Sequence, residues 1–359
     1  MGATGICFTM ITPILVGSVV DGLGFGREMI GGLSAVNIFG LAAGAGLATV
    51  KIGNVSLLKL IRLSCIGLII FELISFFIVS AALLLTVRAF SGVAGGVLYA
   101  SALASFSVLK NPRKAFGLYI VCYALLSLSI LFFLPLIIEV FDYRINFAFL
   151  LIMAVISLSF SGIVTRFEDR IPQRSFDHIL KVLANKKIAI SMTAYFLLQL
   201  SGGLMFTYSE RIGVDAGLST STIGLMLSLS SVFSILGAFL VIRVSQKFRA
   251  IPQVILFGFL MMMSMVCLFY SENTWIFFLG LSLLSISWSY LLPFHQQNQS
   301  SYDELGRVVS VGSVVNMMGR ATGPALGAAM LGSAAFENVL WISIITVIIS
   351  ITLFSFVLR

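Results

Sequence analysis

Uninterrupted apolar runs, each long enough to cross a bilayer, succeed one another along almost the whole chain. A helix needs about 20 apolar residues to cross about 30 Å of hydrocarbon. Twelve such stretches can be placed, at 5–20, 29–49, 57–79, 82–108, 115–138, 146–165, 188–208, 221–242, 252–270, 274–294, 308–332 and 339–358. In lipid every backbone donor and acceptor must be paired, and these runs lack the alternation of barrel strands, so the expected fold is an all-α integral membrane bundle. Composition leaves no alternative: 59% hydrophobic residues, 10% charged residues and a mean hydropathy of +1.09 could not cover a water-facing surface. The break hardest to see lies between spans three and four, because Glu72 and Arg88 are the only charges between Arg62 and Lys110. One helix over 57–109 would be about 80 Å long, so the chain must fold back near 79–82.

Basic residues follow the same rhythm. With the amino terminus in the cytoplasm, seventeen of the 22 fall in every second gap or at the chain end, among them Lys51, Lys110, Arg113, Lys114, Arg174, Lys187, Arg243 and Lys247. The opposite gaps hold only Arg27, Arg144 and Arg211, while Arg88 and Arg320 lie inside spans. This positive-inside bias predicts a multi-pass protein of a cell membrane with both termini cytoplasmic. The economy of loops and tails suggests a bacterial cytoplasmic (inner) membrane. The net charge of +8 then reflects topology, not nucleic-acid binding. The first span lacks a basic flank and an A-x-A-like site, so no cleavable signal peptide is expected.

The longest polar stretch, 166–187, divides the chain into 1–165 and 188–359, six spans each. It reads as a cytoplasmic linker, either solvated throughout or carrying a short surface helix capped by Ser175. An internal repeat supports the division. Gly24, Phe25, Ile30, Gly31 and Gly44 match Gly217, Leu218, Ile223, Gly224 and Gly237, all 193 residues further on. Parallel half-repeats joined by a charged loop describe one architecture of secondary transporters.

On these features the chain resembles the major facilitator superfamily, over essentially all of its length. In the fourth span Arg88-Ala-Phe-Ser-Gly92-Val-Ala-Gly95-Gly96 is similar to that family's Arg-x-x-x-Gly motif, whose Arg is linked to proton coupling. In the eleventh, Gly319-Arg320-Ala-Thr-Gly323-Pro324-Ala-Leu-Gly327 resembles the Gly-x-x-x-Gly-Pro-x-x-Gly motif of exporters, which normally belongs to the fifth span. The loop signature between spans two and three survives only at Gly46, Lys51 and Gly53, with Val50 where an Asp belongs. The first span also starts within a few residues of Met1, without the polar tail usual in the family. The resemblance implies two pseudo-symmetric six-helix bundles of the family fold. It also implies a cavity lined by spans 1, 4, 7 and 10, whose polar residues include Thr9, Thr12, Tyr99, Ser101, Gln199, Ser201, Tyr208, Ser287 and Tyr290. Pro13 and Pro293 would let spans one and ten bend.

An ionised side chain in hydrocarbon must be paired or wet. Glu72 and Arg88 lie at similar depths on consecutive spans, so they are expected to form an ion pair, and protonation of Glu72 would free Arg88. A purely structural pair is the competing expectation. Arg320 sits near the bilayer midplane, one turn beyond Asn316, and either attracts an anionic group or bonds helix carbonyls freed at Pro324. His295, in the polar run 295–299, reads as a wet helix end or as an inner gate.

Enzyme readings find no support. There are 2 His, no H-E-x-x-H, no G-x-S-x-G and no phosphate-cradling loop, so neither a catalytic site nor a cofactor or metal is expected. The four Cys lie in apolar spans as packing residues. The expected protein is a monomeric secondary transporter in the lipid bilayer, moving a small-molecule substrate by alternating access. Proton-coupled efflux by antiport is the leading mode. Uptake of a metabolite by symport, a channel and a non-transporting sensor or scaffold are the alternatives.

Overall fold

A computed structural model describes residues 1–52, 55–107, 112–163, 185–244, 247–302, 307–330 and 336–358. Among them one helical turn, Gly2–Gly5, leads into twelve longer helices. These are α1 (Cys7–Leu23), α2 (Glu28–Lys51), α3 (Leu57–Phe77), α4 (Ala81–Ser107), α5 (Pro112–Val140) and α6 (Ile145–Ser159), then α7 (Lys186–Asp215), α8 (Thr220–Val244), α9 (Ala250–Phe269), α10 (Thr274–Ser300), α11 (Arg307–Met330) and α12 (Glu337–Val357). Ten of these helices are long and apolar enough to cross a membrane by length and composition. The fold-back expected near 79–82 falls at 78–80, between α3 and α4. Helix α7 runs seven residues past its expected end, and α10 carries the polar run 295–299 as helix. Gly53, most of the linker with Ser175, and Asp303 and Glu304 lie outside the described residues.

Polar side chains set several helix starts. Ser56 accepts from the Lys59 amide, Asn185 from those of Lys187 and Ile188, and Asn273 from those of Trp275 and Ile276, each supplying an acceptor to amides the helix leaves free.

The repeat is reproduced in backbone geometry. Gly24 (φ 65°) and Gly217 (φ 83°) are the two residues of positive φ among those described, closing α1 and α7 in the left-handed conformation. Phe25 N donates to Val20 O at 2.9 Å, and Leu218 N donates to Gly213 O at 3.0 Å. These are the same helix-ending bonds, 193 residues apart. The close approach of Gly44 to Val93 O recurs as that of Gly237 to Ile286 O, again at the same spacing. A Cβ in the left-handed region is disfavoured by roughly 1–2 kcal/mol. Gly24→Ala and Gly217→Ala should therefore each lower stability by about that amount, read by denaturant unfolding in micelles.

The chain packs as two units, one of Met1–Ser127 with Leu136–Phe176, the other of Leu128–Pro135 with Asp177–Arg359. In the first, α2 and α4 form the closest pair, with α3 against α4 and α6. Two glycine pairs make that seam. A Cβ on Gly40 would lie 2.2 Å from Ala89 O and one on Gly44 2.0 Å from Val93 O, while those on Gly92 and Gly96 would meet Asn37 O and Leu41 O at 2.1 Å. Small residues admit such backbone contact in a bundle without a hydrophobic drive between helices. In the second unit, α7 packs on α11 and α12, α8 on α10, and α9 on α10 and α12. Gly319 and Gly323 of α11 lie against Phe196 O and Leu200 O of α7, and Gly327 makes room for the Tyr208 ring. The stretch Leu128–Pro135 contributes here too: Ser228 Oγ donates to Leu128 O at 2.9 Å, and the Pro135 ring sits over Gly224.

Candidate functional site

In the first unit the short connection 78–80 returns α4 alongside α3 and brings the two intramembrane charges face to face. Arg88 Nη2 lies 2.9 Å from Glu72 Oε2, with Arg88 0% exposed and Glu72 2% exposed. The same nitrogen donates to Ser75 Oγ at 2.7 Å and to Phe71 O at 3.4 Å. Ser91 Oγ donates to Glu72 Oε1 at 2.7 Å. The guanidinium carbon stands 5.2 Å from the Phe147 ring centroid and 5.8 Å from that of Phe8, so aromatic faces hold the cation where water is excluded. Asn37 Nδ2 donates to Arg88 O at 3.0 Å and ties the site to the glycine seam. Beside Glu72 is a cavity of about 10 Å³, lined also by Thr4, Phe8, Asn37 and Ser91, space for a single water. The expected ion pair is therefore formed, and serine hydroxyls flank both partners. Ser75 and Ser91, three residues beyond Glu72 and Arg88, were legible from helical spacing as neighbours of the charges, though each bonds the charge of the other helix. The rings of Phe8 and Phe147 were not, because they come from other helices.

The repeat shows what the fold itself asks for at this place. One period on, Glu72 corresponds to Met265 and Arg88 to Leu281, which are 0% and 2% exposed. The same helix pair in the second unit is thus filled by two apolar side chains.

The second unit carries a different polar group, built by α7, α10 and α11. Asn316 Nδ2 donates to Tyr195 Oη at 2.8 Å. Gln199, one turn beyond Tyr195, is 0% exposed, and its amide faces the Tyr195 hydroxyl without closing a well-formed hydrogen bond among the described residues. Half-buried Arg320 places its guanidinium 5.8 Å from the centroid of Trp288, which fills the space left by Gly202. Among the described residues it makes no bond to a helix carbonyl; Tyr208 Oη donates to Pro324 O at 3.4 Å. His295 is not wet. It is 0% exposed, stacked between Tyr195 and Phe354 at centroid distances of 5.2 and 3.7 Å.

Other expected contacts are occupied elsewhere. The Tyr290 hydroxyl donates to Gln253 Oε1 of α9, and its ring stacks on Phe257, so it faces away from α7 and α11. Tyr208 is held between Pro324 and Gly327. Thr9 and Thr12 bond Ile6 O and Phe8 O on their own helix, as hydroxyls in apolar helices commonly do. Ser201 donates to Ser343 O at 3.4 Å. Tyr99 packs against Gly5. Ser101 and Ser287 are buried with unpaired hydroxyls. Of the loop signature, Gly46 has nothing within 4 Å of an added Cβ, and Lys51 is exposed at the end of α2.

The sequence model of the Major Facilitator Superfamily matches residues 1–302. The chain belongs to the major facilitator superfamily. Solved structures share the fold over nearly the whole chain at low identity. A variant of the nucleoside transporter NupG aligns with a TM-score of 0.75 and 13% identity, covering 99% of this chain and 97% of the other. A D-xylose-proton symporter aligns with a TM-score of 0.73 and 13% identity, covering 98% and 94%. No curated protein matches the sequence. As a superfamily member the chain is a multi-pass membrane transporter and not an enzyme.

Proposed function

We propose that this protein is a proton-coupled secondary transporter that exports a small organic solute from the cytoplasm by alternating access, with Glu72 as the proton-accepting group. The observation that carries the reading is the buried pair Glu72–Arg88 at a place where the second unit holds Met265 and Leu281. A buried ion pair adds little stability over well-packed apolar residues, so its presence points to a use for the charge. Protonation of Glu72 would leave Arg88 without its counter-charge, held only by Ser75, Phe71 O and the two rings, and so able to shift α4 against α3. Export as the direction rests on the Gly319–Gly327 run and its likeness to the exporter motif. The distribution of basic residues supports cytoplasmic termini in a bacterial inner membrane. The working unit is taken as a monomer in lipid.

Flux into proteoliposomes across a solute panel, with an imposed pH gradient, tests the proposal. Antiport moves solute against the direction of proton flow, symport moves it with that flow, and a channel gives conductance far above carrier turnover. Glu72→Gln should remove the response to the pH gradient while leaving solute exchange at equal pH. A Glu72→Gln protein whose flux still follows the gradient would refute the coupling role.

A further inference from the structure

Arg320 and the side chains around it lack what makes Arg88 tolerable. Arg88 has an acid, a hydroxyl, a carbonyl and two ring faces. Arg320, fourteenth residue of a 24-residue helix, has one ring face, that of Trp288, and among the described residues no ion pair and no hydrogen bond. A cation at that depth is stable only if wet or if an anion joins it. Next to it on α7, Gln199 is fully buried, its amide turned to the Tyr195 hydroxyl without closing a well-formed hydrogen bond among the described residues, and its Cβ packs at the place of Gly319, the neighbour of Arg320. Asn316, one turn before Arg320, spends one amide hydrogen on Tyr195. Buried amides without well-formed hydrogen bonds are costly, and each calls for a water, an ion or a ligand to complete it.

The fold does not impose this group either. One repeat earlier Gln199 corresponds to Ile6 and Arg320 to Ser127. The two units thus differ at these places: the first has a closed ion pair where the second is apolar, and the second has a cation beside buried amides where the first has Ile6 and Ser127.

We infer that Arg320, Gln199 and Asn316, with the face of Trp288, form a binding site for a small organic anion, a carboxylate or a phosphate monoester. The guanidinium pairs with the anionic head in two parallel hydrogen bonds, and the two amides bond polar groups on the ligand body. The inference deepens the transport reading by giving the solute its charge, and it rests on that reading only in taking the ligand as the transported species.

The test reads binding, not flux. In the full-length protein in detergent, Trp275 and Trp341, both exposed, are changed to Phe, leaving Trp288 as the one indole emitter. The probes are propionate, succinate and glycerol 3-phosphate, then further carboxylates and phosphate monoesters, each beside the neutral amide or alcohol of the same skeleton. A saturable change in Trp288 emission is expected with at least one anion and with no neutral partner. Arg320→Gln should weaken it at least tenfold, and Arg320→Lys, which keeps the charge without the fork, should weaken it less. Arg320→Gln with Kd unchanged, a neutral partner binding as tightly as its anion, or no saturable response to any anion overturns the inference. Thermal unfolding of each variant shows whether a lost signal is lost fold, and Arg320→Lys with Gln199→Leu then carries the test. Flux of the parent protein that ignores the pH gradient while anion binding is intact sinks only the proton reading. Anion-blind binding with intact pH-driven flux sinks only this one.

Discussion

A protein carrying Glu72→Met together with Arg88→Leu should insert, fold and unfold close to the parent, yet give pH-driven flux no higher than empty vesicles. Those are the residues at the equivalent places of the second unit, where the same helix pair buries them fully. Either change alone should do far worse. Glu72→Met leaves Arg88 buried at 0% exposure without its acid, and Arg88→Leu leaves a buried carboxylate held only by Ser91. Breaking a buried pair by removing one partner typically costs about 3–5 kcal/mol, whereas exchanging both for well-packed apolar residues is often neutral or stabilising. Unfolding by SDS in mixed micelles would rank the three proteins. A double variant as unstable as the singles would show that the charges are structural. A stable double variant that retained gradient-driven flux would show that they do nothing for coupling.

The second large effect concerns the seam between α2 and α4. Gly92→Leu should prevent the first unit from assembling, and Gly92→Ala should destabilise it by about 1–3 kcal/mol. A Cβ there would lie 2.1 Å from Asn37 O and 2.9 Å from Asn37 C, backbone atoms that yield only if the helices part. Separation would also pull Asn37 from the Arg88 carbonyl, 3.0 Å away, so the ion-pair site loosens with the seam. Gly46→Ala, with nothing within 4 Å of the new atom, is the control and should stay within about 0.5 kcal/mol of the parent. Equal melting temperatures for Gly92→Ala and Gly46→Ala would show that the seam is looser than its geometry.

Span positions were legible because hydrocarbon thickness dictates length and because polar gaps punctuate the runs. Even the break at 78–80, which carries no charge, followed from the length of helix it would otherwise require. The Glu72–Arg88 pair was legible too, since two helices joined by three residues must lie side by side and equal depth then implies contact. The facing of isolated polar side chains was not. Tyr290 meets Gln253, 37 residues away, and Tyr208 meets Pro324, 116 residues away. Such partners are set by helix rotation within the bundle, which no local spacing encodes. His295 misled for the same reason. Its polar neighbours suggest water, but its place on α10 turns it inward to Tyr195 and Phe354.

The three-residue connection between α3 and α4 bears on how the nascent chain enters the bilayer. A lone Arg or acidic residue at the centre of a helix opposes insertion by about 2.5–3.5 kcal/mol. Delivered one after the other, the two segments would each meet that barrier. Delivered as a hairpin already closed by the 2.9 Å contact, they present lipid with a neutral object. The two segments of this polytopic chain should thus partition sideways into the bilayer together, once residue 88 has left the ribosome.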